Sequence, residues 1–285
     1  MIRKPEWMKI KIEGSHNFTE VENLVDGFEL NTVCKEANCP NRMKCYESRT
    51  ATFMILGDVC TRNCRYCNVA TGRGREVDKD EPINVAKVVK KLGLKYAVIT
   101  SVDRDDLADE GANQFKNVIK EIRKNGEGTL VEVLIPDMHA NHDLLDIVFD
   151  EKPDVLNHNV ETVRSIFKQM RPQGNLDNSF EVLRYAKEKG LVTKTGFMVG
   201  LGETNEEVHE MLDKLNELEV DIVTIGQYLM PTLKHANLDR YVTPDEFEEF
   251  KRYGQSIGIK HVESGPLVRS SYNAGNVFKK LKDKK

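Results

Sequence analysis

Apolar and polar residues along this chain alternate between two textures. Short runs dense in aliphatic and β-branched residues stand at Ala51–Leu56, Tyr96–Ser101, Leu130–Ile135, Asp154–Asn159, Lys194–Val199, Ile222–Gln227 and Ile259–Glu263. Runs of this length, bounded by polar punctuation, read as strands buried on both faces. Between them, segments near residues 82–93, 111–125, 141–151, 160–169, 177–190, 204–219 and 243–256 carry apolar positions at helical spacing. The last opens on Thr243-Pro244-Asp245-Glu246, a capping residue, a first-turn proline and two acids. Strand–helix alternation at this spacing predicts a parallel sheet covered by helices. Six or seven such units predict a barrel, complete or partial, rather than a sandwich. Barrels of this kind keep their chemistry at the C-terminal ends of the strands.

Polar residues at those ends are therefore the informative ones. Thr100-Ser101-Val102-Asp103-Arg104-Asp105-Asp106 follows the second strand, and a solvated loop is its default reading ahead of an acid/base pair. The fourth strand ends in Asn157-His158-Asn159-Val160-Glu161-Thr162, whose side chains could hydrogen-bond an amino acid and a ribose. His158 by itself reads as a satisfied structural residue. The glycines of Met198-Val199-Gly200-Leu201-Gly202-Glu203 resemble a dinucleotide fingerprint only superficially, because Asn205 stands where a third glycine should be. A tight strand-to-helix turn beside a cofactor is the better reading. The sequence holds no internal repeat, no low-complexity tract and no H-E-x-x-H or P-loop motif.

Composition narrows the class. With 285 residues, 39 % hydrophobic and 31 % charged, the chain suits one large barrel-type domain or two modest ones. A net charge of −4 argues against a nucleic-acid partner, and the basic run from Lys279 to Lys285 reads as a solvated tail. No apolar stretch approaches the ~18 residues a membrane span requires, so no membrane role is expected. Charges near the start have no apolar core behind them, so no signal peptide is read there. The expected location is cytoplasmic, where thiols stay reduced.

Six cysteines in such a compartment need an explanation other than disulfides. All lie between residues 34 and 67, in two triplets. Cys34, Cys39 and Cys45 are spaced C-x4-C-x5-C, and Cys60, Cys64 and Cys67 are spaced C-x3-C-x2-C. Scattered core thiols would not cluster this way. Structural zinc wants four closed ligands, usually as two C-x2-C hooks, and unequal triplets fit that poorly. A 4Fe–4S cluster fits better, because three thiolates hold three irons and leave the fourth open to a small molecule. Arg62 and Arg65 would offset the negative charge of such a cluster, and Tyr66 places an aromatic before the last cysteine. A second cluster on the first triplet would also lack a fourth cysteine, so its last iron would need another ligand or a bound molecule.

The complete motif Cys60-Thr61-Arg62-Asn63-Cys64-Arg65-Tyr66-Cys67 resembles the signature of the radical S-adenosylmethionine superfamily. That resemblance implies an α/β fold, a partial (β/α)6 TIM-like barrel with N-terminal and C-terminal extensions. It also implies S-adenosylmethionine chelated by the open iron and cleaved reductively to a 5′-deoxyadenosyl radical. We expect Ser101, Asn159, Glu161 and Arg171 near that cofactor, since they lie at predicted strand ends or in a following loop.

Within the superfamily the chain resembles lipoyl synthases. The carrying segments are Asn31-Thr32-Val33-Cys34-Lys35-Glu36-Ala37-Asn38-Cys39-Pro40-Asn41 with Cys45, and Ala51-Thr52-Phe53-Met54-Ile55-Leu56-Gly57 leading to Cys60. Asp154–Thr162, Met198–Thr204, Thr224-Ile225-Gly226-Gln227-Tyr228 and Gly265-Pro266-Leu267-Val268-Arg269-Ser270-Ser271-Tyr272 match as well, so the likeness runs from about residue 3 to residue 275. The short lysine-rich tail and the loop Asn41-Arg42-Met43-Lys44 depart slightly from the family pattern, at no ligand position.

This resemblance implies two 4Fe–4S clusters, with Cys60, Cys64 and Cys67 on the radical cluster and Cys34, Cys39 and Cys45 on an auxiliary one. Ser271 is implied as the auxiliary cluster's fourth ligand, ahead of Ser270, and as a participant in catalysis. The implied substrate is an octanoyl group on a lysine of a lipoyl-carrier domain. Sulfur from the auxiliary cluster enters at C6 and C8. A low-potential electron donor and cluster-repair machinery are the other implied partners. The implied division is an N-terminal extension over 1–50, the barrel over 51–264 and a C-terminal ligand-bearing segment over 265–285. A biotin-synthase-like enzyme would need further cysteines in the later strands, and these are absent. A methylthio-transferring enzyme would need two added domains for which this chain leaves no room, and a cluster-bearing electron carrier would have no use for a barrel.

Overall fold

The computed structural model describes residues 3–9, 16–48, 51–126, 128–271 and 274–282. These form two compact units: an N-terminal unit of residues 11–62 and 68–156, and a C-terminal unit of residues 1–10, 63–67 and 157–285.

The N-terminal unit runs α1 (His16–Gly27), β1 (Asn31–Thr32), α2 (Val33–Glu36), α3 (Arg42–Glu47), β2 (Thr52–Ile55), β3 (Val59–Cys60), β4 (Ala70–Thr71), α4 (Glu81–Lys91), β5 (Tyr96–Ser101), α5 (Ala112–Asn125), β6 (Leu130–Leu134), α6 (His142–Phe149) and β7 (Val155–Asn157). Asn157 itself falls to the other unit. The sheet order is β1-β2-β5-β6-β7, with β1 antiparallel to β2 and the β2–β5 and β5–β6 pairs parallel. Strands covered on both faces need aliphatic residues on both, and Phe53, Ile55, Val98, Ile99, Val131 and Val133 are all buried. Helix α4 lays Val85, Ala86, Val88 and Val89 inward and ends on Lys90 and Lys91, where cations suit the helix dipole. Helix α5 buries Phe115, Val118, Ile119 and Ile122 and starts after Gly111, whose φ is +88°. A Cβ there would meet Leu56 Cδ1 at 2.2 Å, and the left-handed backbone itself favours glycine.

The C-terminal unit holds α7 (Arg164–Met170), α8 (Leu176–Glu188), β8 (Thr193–Val199), α9 (Asn205–Glu217), β9 (Ile222–Gln227), α10 (Pro244–Ser256), β10 (His261–Gly265) and α11 (Ala274–Lys282). Strands β8, β9 and β10 are neighbours in that order and parallel. Capping boxes start both crossover helices, Thr204 with Glu207 at α9 and Thr243 with Glu246 at α10. Phe197, Val223 and Ile225 from the sheet pack with Phe167, Leu212, Phe247 and Phe250 from the helices in one core.

All seven predicted strands and the predicted helices stand where the pattern put them, within a few residues. The last strand begins at His261 instead of Ile259, because Ile259 closes the turn after α10 by donating its N–H to Gly254 O. The helix expected near residue 160 begins at Arg164, because Glu161 still bridges to Phe197 of β8. Among the described residues no helix is long and apolar enough to cross a membrane.

Candidate functional site

The first cysteine triplet sits wholly in the N-terminal unit. Thr32 caps the one-turn helix α2, its hydroxyl accepting the Lys35 N–H at 3.3 Å and sharing a buried 2.8 Å hydrogen bond with Tyr46 Oη. The chain then doubles back: Cys39 N–H donates to Cys34 O at 3.1 Å, and Cys45 N–H donates to Asn41 O at 2.9 Å. Three thiols are thereby gathered. Burial pushes the Cys34 thiol up, and the charge of Cys39 adds to it. Burial also pushes Cys45 up to about 12, reinforced by the charges of Cys34 and Cys39. Three thiolates that repel one another in a half-buried loop are a donor set that a cationic centre stabilises and that protons otherwise occupy. The set therefore fits an iron–sulfur cluster.

Cys60 ends β3 in the same unit, with its thiol 3.7 Å from Asp103 Oδ2. Two residues on, Arg62 turns inward. Its guanidinium donates twice to Asp137 and twice to Asp105, all at 2.8 Å, and lies 3.4 Å from Asp103. Thr61 N–H and Oγ1 each donate to Asp103 O at 3.0 Å. Two sequence expectations change here. Arg62 is not held free as a counter-charge to a cluster, because its Nε, Nη1 and Nη2 groups already donate four hydrogen bonds to Asp105 and Asp137. The 103–106 stretch is no merely solvated loop, because it anchors the cysteine motif and its buried Arg104 pairs with Asp106 at 2.8 Å.

Cys64 and Cys67 belong to the C-terminal unit. Cys67 N–H donates to Cys64 O at 3.0 Å, and Arg65 N–H donates to Met170 O at 2.8 Å. Tyr66 packs with Met170, Leu201, Tyr228 and Ala236. Burial holds its phenol well above the usual range, and the charges of Glu161, Cys64, Arg171 and Cys67 also act on it. That shared neighbourhood brings two expected cofactor contacts, Glu161 and Arg171, to the cysteine loop. Glu161 holds φ +68° and donates its N–H to Gly196 O at 3.1 Å. Arg171 is buried, and its stem occupies the space a side chain at Gly174 would take.

Two further expected contacts show a different sign of a ligand site. Ser101 Oγ, at the end of β5, and Asn159 Oδ1, beside β8, are buried with no hydrogen-bond partner. Buried polar atoms are ordinarily satisfied, so each fits a polar ligand. Asn159 also faces a cradle: a Cβ on Gly196 would meet Thr224 Oγ1 at 2.4 Å and Asn159 Oδ1 at 3.1 Å. The Gly200–Gly202 turn binds no phosphate of its own, because the Glu203 carboxylate accepts the N–H groups of Gly200 and Leu201. His158 is buried in the run that follows β7. Ser270 and Ser271 lie half-buried in a turn after Val268, whose carbonyl sits 2.2 Å from where a Gly226 Cβ would be. Tyr272 lies outside the described residues.

Residues 54–215 match the family model of the Radical SAM superfamily. Lipoyl synthase of Rubrobacter xylanophilus is 51 % identical over 273 residues, covering 95 % of this chain and 85 % of that protein. The chain belongs to the lipoyl synthase family. Mitochondrial lipoyl synthase of Nematostella vectensis is 48 % identical over 272 residues, covering 95 % of this chain and 94 % of that one. Among solved structures, Streptococcus suis SuiB bound to S-adenosylmethionine superposes with a TM-score of 0.61 at 13 % identity, covering 81 % of this chain and 56 % of that one. Methylornithine synthase superposes at 0.52 with 15 % identity, covering 81 % and 80 %. The fold is thus the α/β radical S-adenosylmethionine fold, of the partial-barrel class expected. A lipoyl synthase family member of this superfamily takes a 4Fe–4S cluster and S-adenosylmethionine.

Proposed function

We infer that this lipoyl synthase family member inserts two sulfur atoms, at C6 and C8, into an octanoyl-lysine of a lipoyl-carrier domain. The observation that carries the reading is the doubling back of the loop that gathers Cys34, Cys39 and Cys45, in a chain that also carries a complete radical motif. Their chemistry supports a second 4Fe–4S cluster over the three residues acting as ordinary core thiols, and the Arg269-Ser270-Ser271-Tyr272 likeness to lipoyl synthases suggests Ser271 as its fourth ligand.

Bound cofactors would supply hydrogen abstraction from unactivated carbon, through the 5′-deoxyadenosyl radical, and the sulfur itself. The chain's residues do the rest. Cys60, Cys64 and Cys67 hold the radical cluster. Ser101, Asn159, Glu161 and Arg171 orient S-adenosylmethionine through groups that are buried or set by the sheet. The Arg62–aspartate network fixes the loop that carries the thiolates, and Tyr66 with its apolar neighbours limits water at a place where a radical would be quenched.

The reading assigns residues 1–50 to an extension bearing the auxiliary cysteines, 51–264 to the barrel, and 265–285 to the segment with Ser271. It implies a low-potential electron donor, machinery that rebuilds the auxiliary cluster, and a cytoplasmic setting. The test uses the full chain, reconstituted anaerobically with iron and sulfide. We expect about eight irons per chain, and dithiolane formation on an octanoylated carrier domain supplied with S-adenosylmethionine and dithionite. Saturation near four irons, or 5′-deoxyadenosine without any sulfur-bearing product, would refute it.

A further inference from the structure

The stretch after β9 returns to the cysteine loop of its own unit and holds it at two points. Tyr228 is buried, and its hydroxyl donates to Ala236 O at 2.7 Å. Ala236 N–H in turn donates to Arg65 O at 2.8 Å, while Arg65 N–H is taken by Met170 O. His235 reaches one residue of the motif further, with Nε2 2.9 Å from Cys67 O. Its other ring nitrogen, Nδ1, lies 2.9 Å from Thr232 Oγ1.

The partners decide the roles of the two ring nitrogens. A carbonyl oxygen only accepts, so Nε2 carries the hydrogen and donates to Cys67. Thr232 Oγ1 already accepts the Lys234 N–H at 3.2 Å, which leaves its hydroxyl hydrogen for Nδ1. His235 N–H closes the turn on Thr232 O at 3.1 Å. Thr232 on one side and the Cys67 carbonyl on the other therefore set the ring's tautomer, and its one donor is spent on a cysteine carbonyl. A histidine that served only to close a surface turn would have no need of that last bond.

We propose that His235 is a positioning residue for the radical cluster: it fixes the Cys67 peptide, and with it the direction from which the Cys67 thiolate meets iron. This rests on the reading of Cys67 as a cluster ligand. The positive end of the Nε2–H dipole also points toward that ligand, so its loss makes the cluster harder to reduce, as hydrogen bonding around cluster ligands generally tunes potential.

The test uses the full chain reconstituted with both clusters, reduced with dithionite, and followed by the electron paramagnetic resonance signal that changes when S-adenosylmethionine is added. In His235→Ala we expect unchanged iron content, an altered signal, a more negative midpoint potential, and 5′-deoxyadenosine formation slowed roughly tenfold, the scale of one lost hydrogen bond. His235→Gln, whose amide N–H reaches as far, should restore most of the signal and rate. Thr232→Val, which removes the Nδ1 partner together with the acceptor of the Lys234 N–H, should shift both in the same direction by less, and it decides the matter if His235→Ala does not fold. A His235→Ala protein with wild-type signal, potential and rate would overturn the proposal, and so would a folded His235→Gln protein as impaired as the alanine variant. If wild-type protein carries no signal responsive to S-adenosylmethionine, the reading of Cys67 fails first and the proposal falls with it.

Discussion

Arg62 meets the Asp137 carboxylate fork to fork: Nη1 donates to Oδ2 and Nη2 to Oδ1, both at 2.8 Å. The arginine side chain is 1 % exposed and the aspartate 2 %, so the pair is removed from water. Planar bidentate geometry is the arrangement in which a guanidinium is not replaceable by an ammonium.

Arg62→Leu should accordingly destabilise the protein by about 3–5 kcal/mol, because Asp137 is left charged and buried. Arg62→Lys should recover only a minor part. Urea unfolding of the cluster-free full chain measures both, and adding Asp137→Asn to Arg62→Leu should regain much of the loss. Equal midpoints for wild type and Arg62→Leu would mean the network contributes nothing to the fold.

The two triplets should separate by role. Changing Cys60, Cys64 and Cys67 together to alanine abolishes S-adenosylmethionine cleavage. Changing Cys34, Cys39 and Cys45 together leaves cleavage largely intact and stops sulfur insertion. Product analysis by mass spectrometry reads both, and equal loss of cleavage in two folded variants would show that the roles are assigned wrongly.

Ser271→Cys tests the oxygen ligand. A thiolate binds iron of a sulfur cluster more firmly than a serine oxygen does. The variant should hold full iron and cleave S-adenosylmethionine, yet yield little dithiolane. Normal product formation would move the assignment to Ser270, which the matching Ser270→Cys variant examines.

Gly196→Ala should weaken S-adenosylmethionine binding about tenfold, worth ~1.4 kcal/mol, because its methyl group would press on Thr224 Oγ1 and Asn159 Oδ1. Calorimetric titration of the reconstituted protein gives the affinity. An unchanged value would remove Asn159 from the cofactor contacts.

Asp221 supplies a pH dependence. Burial alone would raise its carboxyl, but Lys187, Lys260 and the Thr193 N–H together hold it below the usual range. With the folded value depressed, the unfolded chain takes up the proton first as pH falls. The stabilisation is thus fully present above about pH 4, the ordinary aspartate value, and is lost as pH drops further toward the folded value. Asp221→Asn should be less stable than wild type at pH 7, with the gap closing in acid. A gap that stays constant down to pH 2 would contradict the linkage.

Much of the strand–helix frame was legible because it depends on local pattern. β5 and β9 carry compact runs of aliphatic and β-branched residues, Ala97-Val98-Ile99-Thr100 and Ile222-Val223-Thr224-Ile225, and Thr243-Pro244-Asp245-Glu246 announces a helix whatever packs against it. Helices α1, α2, α3 and α11 were not read. The sequence of α1, His16-Asn17-Phe18-Thr19-Glu20-Val21-Glu22-Asn23-Leu24-Val25-Asp26-Gly27, is mostly polar, and α2 and α3 are too short to show a period. The cysteine spacings gave the candidate chemistry outright. The role of Arg62 could not be read, since its aspartate partners lie 43 and 75 residues downstream. His235 carried no motif at all; only the geometry of Thr232 and Cys67 singles it out.

The loop from Thr32 to Tyr46 is shaped by bonds between backbone groups and by the Thr32–Tyr46 hydroxyl pair, none of which uses a thiol. On the proposed function the auxiliary cluster is consumed in each cycle and must be replaced many times. A receptacle whose walls stand independently of their contents can be restocked without refolding, so the entropy of arranging three ligands is met once, when the chain folds, rather than at every turnover.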